Sequence, residues 1–180
     1  MTGRKFINAV GKGKIDILQL FQNILKEAKS RYCIVGGLAV NAYVEPVVSL
    51  DLDIVVAMDC IEEVCEMAKQ KGFKVKKFEH SVNLTHSKSD LRIQLQTDGR
   101  YQEFIARSKI KQILGYRMKV ARVEDVFQGK IWAYMDELRR KSKRQKDLLD
   151  IIRLLEVYPE LKRLIPASIQ KGLRINHLIH

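Results

Sequence analysis

The hydrophobic pattern of the first third of the chain alternates between a helical and a strand period. Apolar residues recur at helical spacing over 15–28 and predict an amphipathic first helix. The uncharged run Tyr32–Val44 predicts a short buried strand, a turn at Gly36-Gly37 and a helix. That helix ends before Pro46, because proline disfavours helical geometry in the residue before it. Leu50–Ala57 predicts a second strand, so two strands are joined through a glycine turn and a short helix.

Beyond this unit the pattern predicts another helix, several short strands and a helical end. Asp59 and Glu62 have the spacing of a capping box, and Gly72 fits the C-terminal position of the helix that they begin. The predicted strands are Phe73–Glu79, Val82–Thr85 and Leu91–Thr97, with Ile113–Val120 as one bent strand or a small hairpin. The predicted C-terminal helical segments are Val123–Leu138, Lys146–Val157 and Glu160–Ile165.

This order predicts an α/β (α+β) architecture in two parts. Residues 1–122 form the sheet core, and residues 123–180 form a helical segment packed on it. At 180 residues, with 46% hydrophobic and 30% charged side chains, the composition is that of an ordinary globular protein. No apolar run is long enough to span a bilayer, and no secretory signal is evident at the N-terminus. Cys33, Cys60 and Cys65 lack metal-ligand spacing and are interpreted as reduced thiols, so we expect a cytoplasmic protein without a membrane partner.

The formal net charge of +12 favours polyanionic partners such as RNA, DNA or nucleotide phosphates. The excess is concentrated in Arg139–Lys146, which holds six basic residues among eight. Two interpretations remain open for this segment. It is either a solvated junction between helices or a nucleic-acid contact that acts independently of any catalytic site.

Asp51 and Asp53 open the second strand of the N-terminal unit. Because strand residues two apart point to the same face, both carboxylates are expected on one side of the sheet. Two neighbouring carboxylates repel each other and therefore suit a divalent cation. Gly36 and Gly37 stand where a helix begins, so free N–H groups there can approach a phosphate. Asp-x-Asp alone is a weak signal, and the glycine pair and the strand context strengthen it.

Taken together, these segments resemble the polymerase-β-like nucleotidyltransferase superfamily. Gly36–Val40 and Asp51–Val56 look like motif I of its minimal members, the AbiEii toxin-like group. Val123–Ala133 and Arg144–Asp150 are similar to the helical Lys…Ala…Arg-x-Lys-Asp-x-x-Asp motif of the same group. The resemblance covers most of the chain and implies a mixed-sheet nucleotidyltransferase fold with helices packed on it.

The resemblance also implies a role for each matched position. Asp51 and Asp53 match the acids that hold Mg²⁺ (or Mn²⁺) ions bridging a nucleoside triphosphate, and Gly36 and Gly37 match the turn that lines the triphosphate. The remaining matched positions belong to nucleotide binding: Lys130, Lys146 and Asp147. The implied function is Mg²⁺-dependent transfer of an NMP group from an NTP to an acceptor hydroxyl. The acceptor is an RNA 3′ end or a protein side chain, as in toxin–antitoxin pairs.

The departure from the family pattern is the third carboxylate. Gln94 or Gln96 stands where the superfamily has an Asp on a later strand, and glutamine is neither a general base nor a good Mg²⁺ ligand. Asp90 and Asp98 flank that strand, but a one-residue slip reverses the face. Three alternatives follow: activity with two acids, activity with a flanking Asp, or a nucleotide- or RNA-binding regulatory module without turnover.

Some matched residues also have plain structural interpretations. Lys130 on an amphipathic helix is otherwise a solvated lysine, and Lys146 and Asp147 are otherwise surface charges. Trp132 lies on the same helix as Ile131 and is interpreted as a core residue rather than a nucleobase platform. The sequence leaves the oligomeric state open.

Overall fold

The computed structural model describes residues 15–170, which form one seven-stranded mixed sheet with helices packed against it. The helices are α1 (Ile17–Glu27), α2 (Gly36–Val40), α3 (Ile61–Gln70), α4 (Gln102–Arg107), α5 (Val123–Met135), α6 (Lys141–Val157) and α7 (Ala167–Gln170). The strands are β1 (Tyr32–Val35), β2 (Asp51–Val56), β3 (Phe73–Lys77), β4 (Ser81–His86), β5 (Ser89–Gln96), β6 (Lys109–Ile113) and β7 (Tyr116–Val120). Short 3₁₀ turns cover Met58–Cys60, Gly99–Tyr101 and Pro159–Leu164.

The strand order across the sheet is β3-β4-β5-β2-β1-β7-β6. β2 runs parallel to β5, and β1 runs parallel to β7, whereas the other neighbouring pairs are antiparallel. β2 therefore lies in the middle of the sheet, with β1 on one side and β5 on the other. Residues at the start of β2 lie beside side chains from β5.

The two faces of the sheet differ in what covers them. On one face, Phe73 of β3 packs edge-on against Phe21 of α1, with ring centroids 6.3 Å apart. Lys77, on the same side of β3, pairs with Glu62 of α3 at 2.7 Å. On the other face α6 approaches the start of β2, where Lys143 Nζ lies 3.3 Å from Asp51 Oδ2.

The buried core is continuous through the sheet and the C-terminal helices. Its members include Ile34 and Ile54 from the central strands, together with Phe127 of α5 and Leu154 of α6. The division at residue 122 stays a prediction, and its outer ends, 1–14 and 171–180, lie outside the described residues. Among the helices of residues 15–170, no span is both long and apolar enough to cross a membrane.

Several predicted boundaries need correction. The capping box is wrong, because Cys60 is the N-cap of α3 and Asp59 pairs instead with Arg31 at 3.2 Å. The segment around 113–120 is a hairpin whose first strand already begins at Lys109. The helix that was expected from Lys146 begins earlier, at Lys141, and the helix after the glycine pair ends at Val40.

Candidate active site

A cavity of about 640 Å³ opens over the start of β2, between the sheet and helices α5 and α6. Seven of the positions singled out in the sequence line it: Gly36, Asp51, Asp53, Gln94, Gln96, Lys130 and Asp147. Gly37 and Lys146 are not among the described lining residues, and Lys146 is exposed to solvent. The structure thus gathers most of the predicted site in one cavity and leaves Lys146 outside it.

The two aspartates of β2 have different electrostatic surroundings. The Asp51 carboxylate contacts two cations, Arg92 of β5 at 2.9 Å and Lys143 of α6 at 3.3 Å. The Asp53 carboxylate forms no hydrogen bond or ion pair with any residue of the described range 15–170. Burial raises the pKa of Asp53 above its ordinary value; Lys130 opposes the rise and Asp51 adds to it.

Gly36 occupies the space beside Asp53. Its φ of +66° lies in the left-handed region, which side chains rarely adopt. A Cβ atom at this position would lie 2.1 Å from Asp53 Oδ2 and 2.8 Å from Asp53 Cβ. Gly37 is different, because a Cβ there meets only Ser49 Oγ at 3.8 Å. The first glycine is therefore required by the carboxylate next to it, and the second is not.

Lys130 is a buried cation that joins α5 to α6. Its Nζ lies 3.0 Å from Asp147 Oδ1 and 2.7 Å from Asp150 Oδ2, and only 10% of its side chain is exposed. Burial lowers the pKa of Lys130, but Asp150 and Asp147 outweigh it, so the pKa is raised and the side chain stays charged. Asp147 also pairs with Arg139 at 2.7 Å, which brings a second cation to the cavity wall.

The register of β2 and β5 identifies the neighbours of the two aspartates. Asp53 stands opposite Gln94, and Asp51 stands opposite Arg92, so neither β5 position beside them is acidic. Asp98 lines the cavity but is held by Arg100, whose guanidinium lies 2.7 Å away and lowers the pKa of the carboxyl. Asp90 is exposed and is not among the described lining residues.

The sequence did not single out three lining or neighbouring residues individually: Arg92, Arg139 and Lys143. Arg139 and Lys143 belong to the basic run, where composition alone does not show which of the cations point inward. Arg92 lies on β5, the strand expected to carry the third acid, and its sequence context does not indicate a contact with Asp51. Trp132, interpreted as core, lines the cavity, stacks on Phe104 with centroids 5.7 Å apart and lies 4.9 Å from the Arg100 guanidinium carbon.

The donor set suits a hard divalent cation held partly by its substrate. Asp51 and Asp53 supply carboxylate oxygens, and the β5 neighbour of Asp53 is the neutral Gln94. Mg²⁺ is commonly bound through one or two carboxylates, with water and substrate phosphates completing its shell. Among residues 15–170 no cluster of three or more His, Cys, Asp or Glu side chains has metal-binding geometry. These residues therefore fit a cation that arrives with phosphate better than a permanently bound structural ion.

Comparison with solved structures places this architecture among nucleotidyltransferases. The antibiotic-resistance factor ANT(2'')-Ia is 12% identical, with a TM-score of 0.63 over 89% of this chain and 93% of that one. The lincosamide antibiotic adenylyltransferase LnuA, solved with lincomycin, is 12% identical, with a TM-score of 0.56 over 81% of this chain and 98% of that one. An antigenic nucleotidyltransferase-like protein from Paracoccidioides brasiliensis is 18% identical, with a TM-score of 0.56 over 96% of this chain and 91% of that one.

These likenesses establish the fold. The chain has the mixed-sheet nucleotidyltransferase fold, with helices packed on the sheet and a helical C-terminal part, as the sequence predicts. No protein-family profile and no curated protein sequence matches the chain. At identities of 12% to 18% the neighbours do not by themselves assign a substrate.

Proposed function

We propose that this protein is a Mg²⁺-dependent nucleotidyltransferase of the polymerase-β-like superfamily, moving an NMP group from an NTP to an acceptor hydroxyl. The observation that carries the proposal is that Asp51 and Asp53 line the same cavity as the cations Arg139 and Lys143. The cavity therefore offers carboxylates for a metal ion and positive charge for phosphates. The fold shared with nucleotidyltransferases adds support.

The two aspartates contribute to this reaction in different ways. A divalent cation at Asp51 and Asp53 would neutralise triphosphate charge and polarise the reacting phosphate. Asp53 is the better-prepared ligand, because its carboxylate is desolvated and has no cation in contact with it within the described residues. Asp51 is held by Arg92 and Lys143, so a cation that binds there must compete with both.

The same cavity supplies positive charge for the nucleotide phosphates. Lys143 and Arg139 line the cavity, and each is anchored to a carboxylate, Asp51 and Asp147 respectively. Anchored cations lose little freedom when a phosphate binds, which favours electrostatic stabilisation of the leaving pyrophosphate. Lys130 contributes indirectly, by holding α6 in place, because its ammonium is already bound by Asp147 and Asp150.

A label-transfer assay tests the proposal. The protein is incubated with α-labelled NTPs, Mg²⁺ or Mn²⁺, total RNA and candidate partner proteins, and labelled products are separated. We expect transfer by the wild type and its loss in Asp51→Asn and Asp53→Asn. Asp59→Asn is the matched control, since Asp59 is an exposed aspartate outside the cavity whose ion-pair partner is Arg31. Absence of transfer under all conditions, or undiminished transfer by the two site variants, would refute the proposal.

A second function is favoured by one specific observation. Neither β5 neighbour of the aspartates is acidic, because Gln94 and Arg92 occupy those positions. On this reading the protein binds nucleotide or RNA as a regulatory module and transfers nothing. Metal-dependent NTP binding without label transfer to any acceptor distinguishes it from the enzyme. A toxin–antitoxin setting for either function rests on the sequence resemblance, and growth arrest on expression of the wild type but not of Asp53→Asn tests it.

A further inference from the structure

Half of the sheet face that carries Asp51 and Asp53 is open to solvent. In β4 the side chains of Val82 and Leu84 are buried, whereas the intervening side chains remain partly exposed. The same alternation holds in β5, where Ile93 and Leu95 are buried and Arg92 is exposed. We call these exposed positions the open face, formed by Lys74, Lys76, Phe78, Ser81, Asn83, Thr85, Arg92, Gln94 and Gln96.

The open face is continuous with the candidate active site. Strand register aligns Lys76 with Asn83, Asn83 with Gln94, and Gln94 with Asp53. A second row runs through Lys74, Thr85, Arg92 and Asp51 in the same way. Each row crosses three strand intervals, about 14 Å. A ligand lying along either row therefore reaches the two aspartates at one end and the edge strand at the other.

The open face carries positive charge only. Its nine positions include three cations and no carboxylate, and each of the two rows ends at an aspartate of β2. Lys74 and Lys76 form no ion pair with any residue from 15 to 170, so no carboxylate of the described residues neutralises their charge. Asp90, at the start of β5, already has an interaction of its own. A phosphate-bearing chain is attracted to such a surface, and a polycationic acceptor is repelled.

The edge of the open face also offers an aromatic ring. Phe78 is 48% exposed, and Lys76 Nζ lies 5.0 Å from its ring centroid. Its backbone N–H donates to Ser81 at 2.8 Å, which fixes it beside the β3–β4 turn. Asn83 Oδ1 is itself buried and has no hydrogen-bond donor among the described residues, whereas the side chains of Gln94 and Gln96 are partly exposed. A stacking ring, free cations and amide groups are the features with which proteins bind single-stranded nucleic acids.

We propose that the open face binds the acceptor of the reaction, a single-stranded RNA whose 3′ end lies at Asp51 and Asp53. This inference rests on the proposed function for the reaction but not for the binding. In the transfer, the 3′-oxygen forms a bond to the α-phosphorus as the bond to pyrophosphate breaks. Pyrophosphate leaves with the electron pair, and the hydroxyl proton passes to solvent. Lys74, Lys76 and Arg92 bind phosphates of the strand, and Phe78 stacks on a base.

Fluorescence anisotropy with a short fluorescein-labelled single-stranded RNA tests this proposal. Lys74→Gln/Lys76→Gln removes the two unpaired cations and leaves Arg92 and both aspartates in place. We expect a loss of affinity of about tenfold and a salt-dependence slope smaller by about 1.4, or about 0.7 for each lost phosphate contact. Phe78→Ala is expected to weaken binding by about tenfold through lost stacking.

Lys109→Gln/Lys119→Gln is the charge-matched control, because both lysines are exposed on β6 and β7 at the far edge of the same sheet. An equal loss of RNA affinity in this control would show only general attraction to a basic protein and would overturn the proposal. Unchanged binding by Lys74→Gln/Lys76→Gln would overturn it as well. So would stronger binding of tobramycin, a polycation, than of RNA.

The outcomes also separate this inference from the proposed function. RNA binding through Lys74 and Lys76, without label transfer to any acceptor, would refute the proposed transferase activity and support RNA binding by the open face. Label transfer to a protein side chain or a small molecule, with no RNA binding, would support the transferase activity and refute RNA binding by the open face. Asp53→Asn is expected to abolish transfer and leave RNA affinity within about twofold, because it removes no phosphate contact.

Discussion

At the scale of single residues, the geometry of the site depends on the absence of a side chain at Gly36. Gly36 combines a left-handed backbone with a position where a Cβ would overlap the Asp53 carboxylate. The sequence showed a pair of equivalent glycines, and only the three-dimensional contact distinguishes them. Asp53 fits half-buried beside the turn because no side chain at position 36 occupies the space next to its carboxylate.

Gly36→Ala is therefore expected to damage both stability and ligand binding. The backbone strain costs about 1–3 kcal/mol, and the added methyl group displaces the Asp53 carboxylate. Urea unfolding and metal-dependent NTP binding measure the two effects. Gly37→Ala is the matched control and is expected to bind NTP as the wild type does, since its Cβ has an ordinary neighbour at 3.8 Å. Equal behaviour of the two variants would contradict the steric argument.

Asp53 also predicts a specific dependence of stability on pH. Because burial raises its pKa in the folded state, the folded protein holds this proton more tightly than the unfolded chain does. The contribution of Asp53 to stability therefore falls as pH rises from the ordinary aspartate value of 3.8 through the folded-state pKa, and it is constant above that.

Asp53→Asn removes this contribution. Relative to the wild type, the variant is expected to gain stability as pH rises from 4 towards neutrality and to lose metal-dependent nucleotide binding. Urea denaturation across this pH range provides the measurement. Parallel curves for the two proteins would show that Asp53 titrates equally in the folded and unfolded states.

At the scale of elements, α5 and α6 are joined by buried charge. Lys130 lies between Asp147, which is 2% exposed, and Asp150, while Arg139 and Arg153 neutralise the outer sides of these carboxylates. Arg153 also donates to the backbone oxygen of Glu45, in the connection before β2. The network therefore holds the cation-bearing helices at a fixed position relative to the two aspartates.

Lys130→Met should destabilise the protein by about 3–5 kcal/mol, because two buried carboxylates lose their shared cation. Chemical denaturation measures the loss. Lys146→Met serves as control, since Lys146 is exposed on the same helix pair, and its effect is expected to stay within about 0.5 kcal/mol. A similar small effect for Lys130→Met would mean that Asp147 and Asp150 are satisfied by Arg139 and Arg153 alone.

The elements that the sequence predicts correctly are those whose alternation of apolar and polar residues follows the alternation of buried and exposed positions. β2 and α1 have apolar positions that pack into the core, and their period is visible in the sequence. β6 was missed because Lys109–Ile113 is an edge strand with little buried surface. The capping prediction at Asp59 failed because a tertiary partner, Arg31, competes for the same carboxylate.

The predictable part of the site is the part that is local in sequence. Asp51 and Asp53 share a face because they are two residues apart on one strand. Lys143, in contrast, reaches Asp51 from 92 residues away, and no local pattern reveals that contact. The same holds for Arg92, which becomes a neighbour of Asp51 only through the parallel register of β5.

At the scale of the whole molecule, the two faces of the sheet differ in what they carry. Helices α1 and α3 cover one face, and the other carries the cavity and the open face. The net charge of +12 favours polyanionic ligands for the molecule as a whole. The sign of the charge was evident from composition, but its arrangement beside β2 required the strand order.

Ligand binding is expected to stabilise the whole fold. At an NTP concentration about 100 times the dissociation constant, the gain is about 2.7 kcal/mol, or about 5–10 °C in Tm for a chain of this size. Differential scanning fluorimetry measures it with and without Mg²⁺. We expect the shift to require Mg²⁺ and to disappear in Asp53→Asn. An equal Tm shift without metal would mean that the cations lining the cavity, such as Arg139 and Lys143, bind the phosphates without help from Mg²⁺.

The environment of Trp132 has a further, practical consequence. It is the only tryptophan of the 180 residues, and its indole lines the cavity beneath the Arg100 guanidinium. The ultraviolet-excited emission of the unlabelled protein therefore comes from one indole at a known place, without background from other indoles. A molecule that enters the cavity and moves Arg100 changes the polarity around that indole. The native chain thus carries an intrinsic optical reporter, with which candidate ligands can be titrated before any chemistry is assayed.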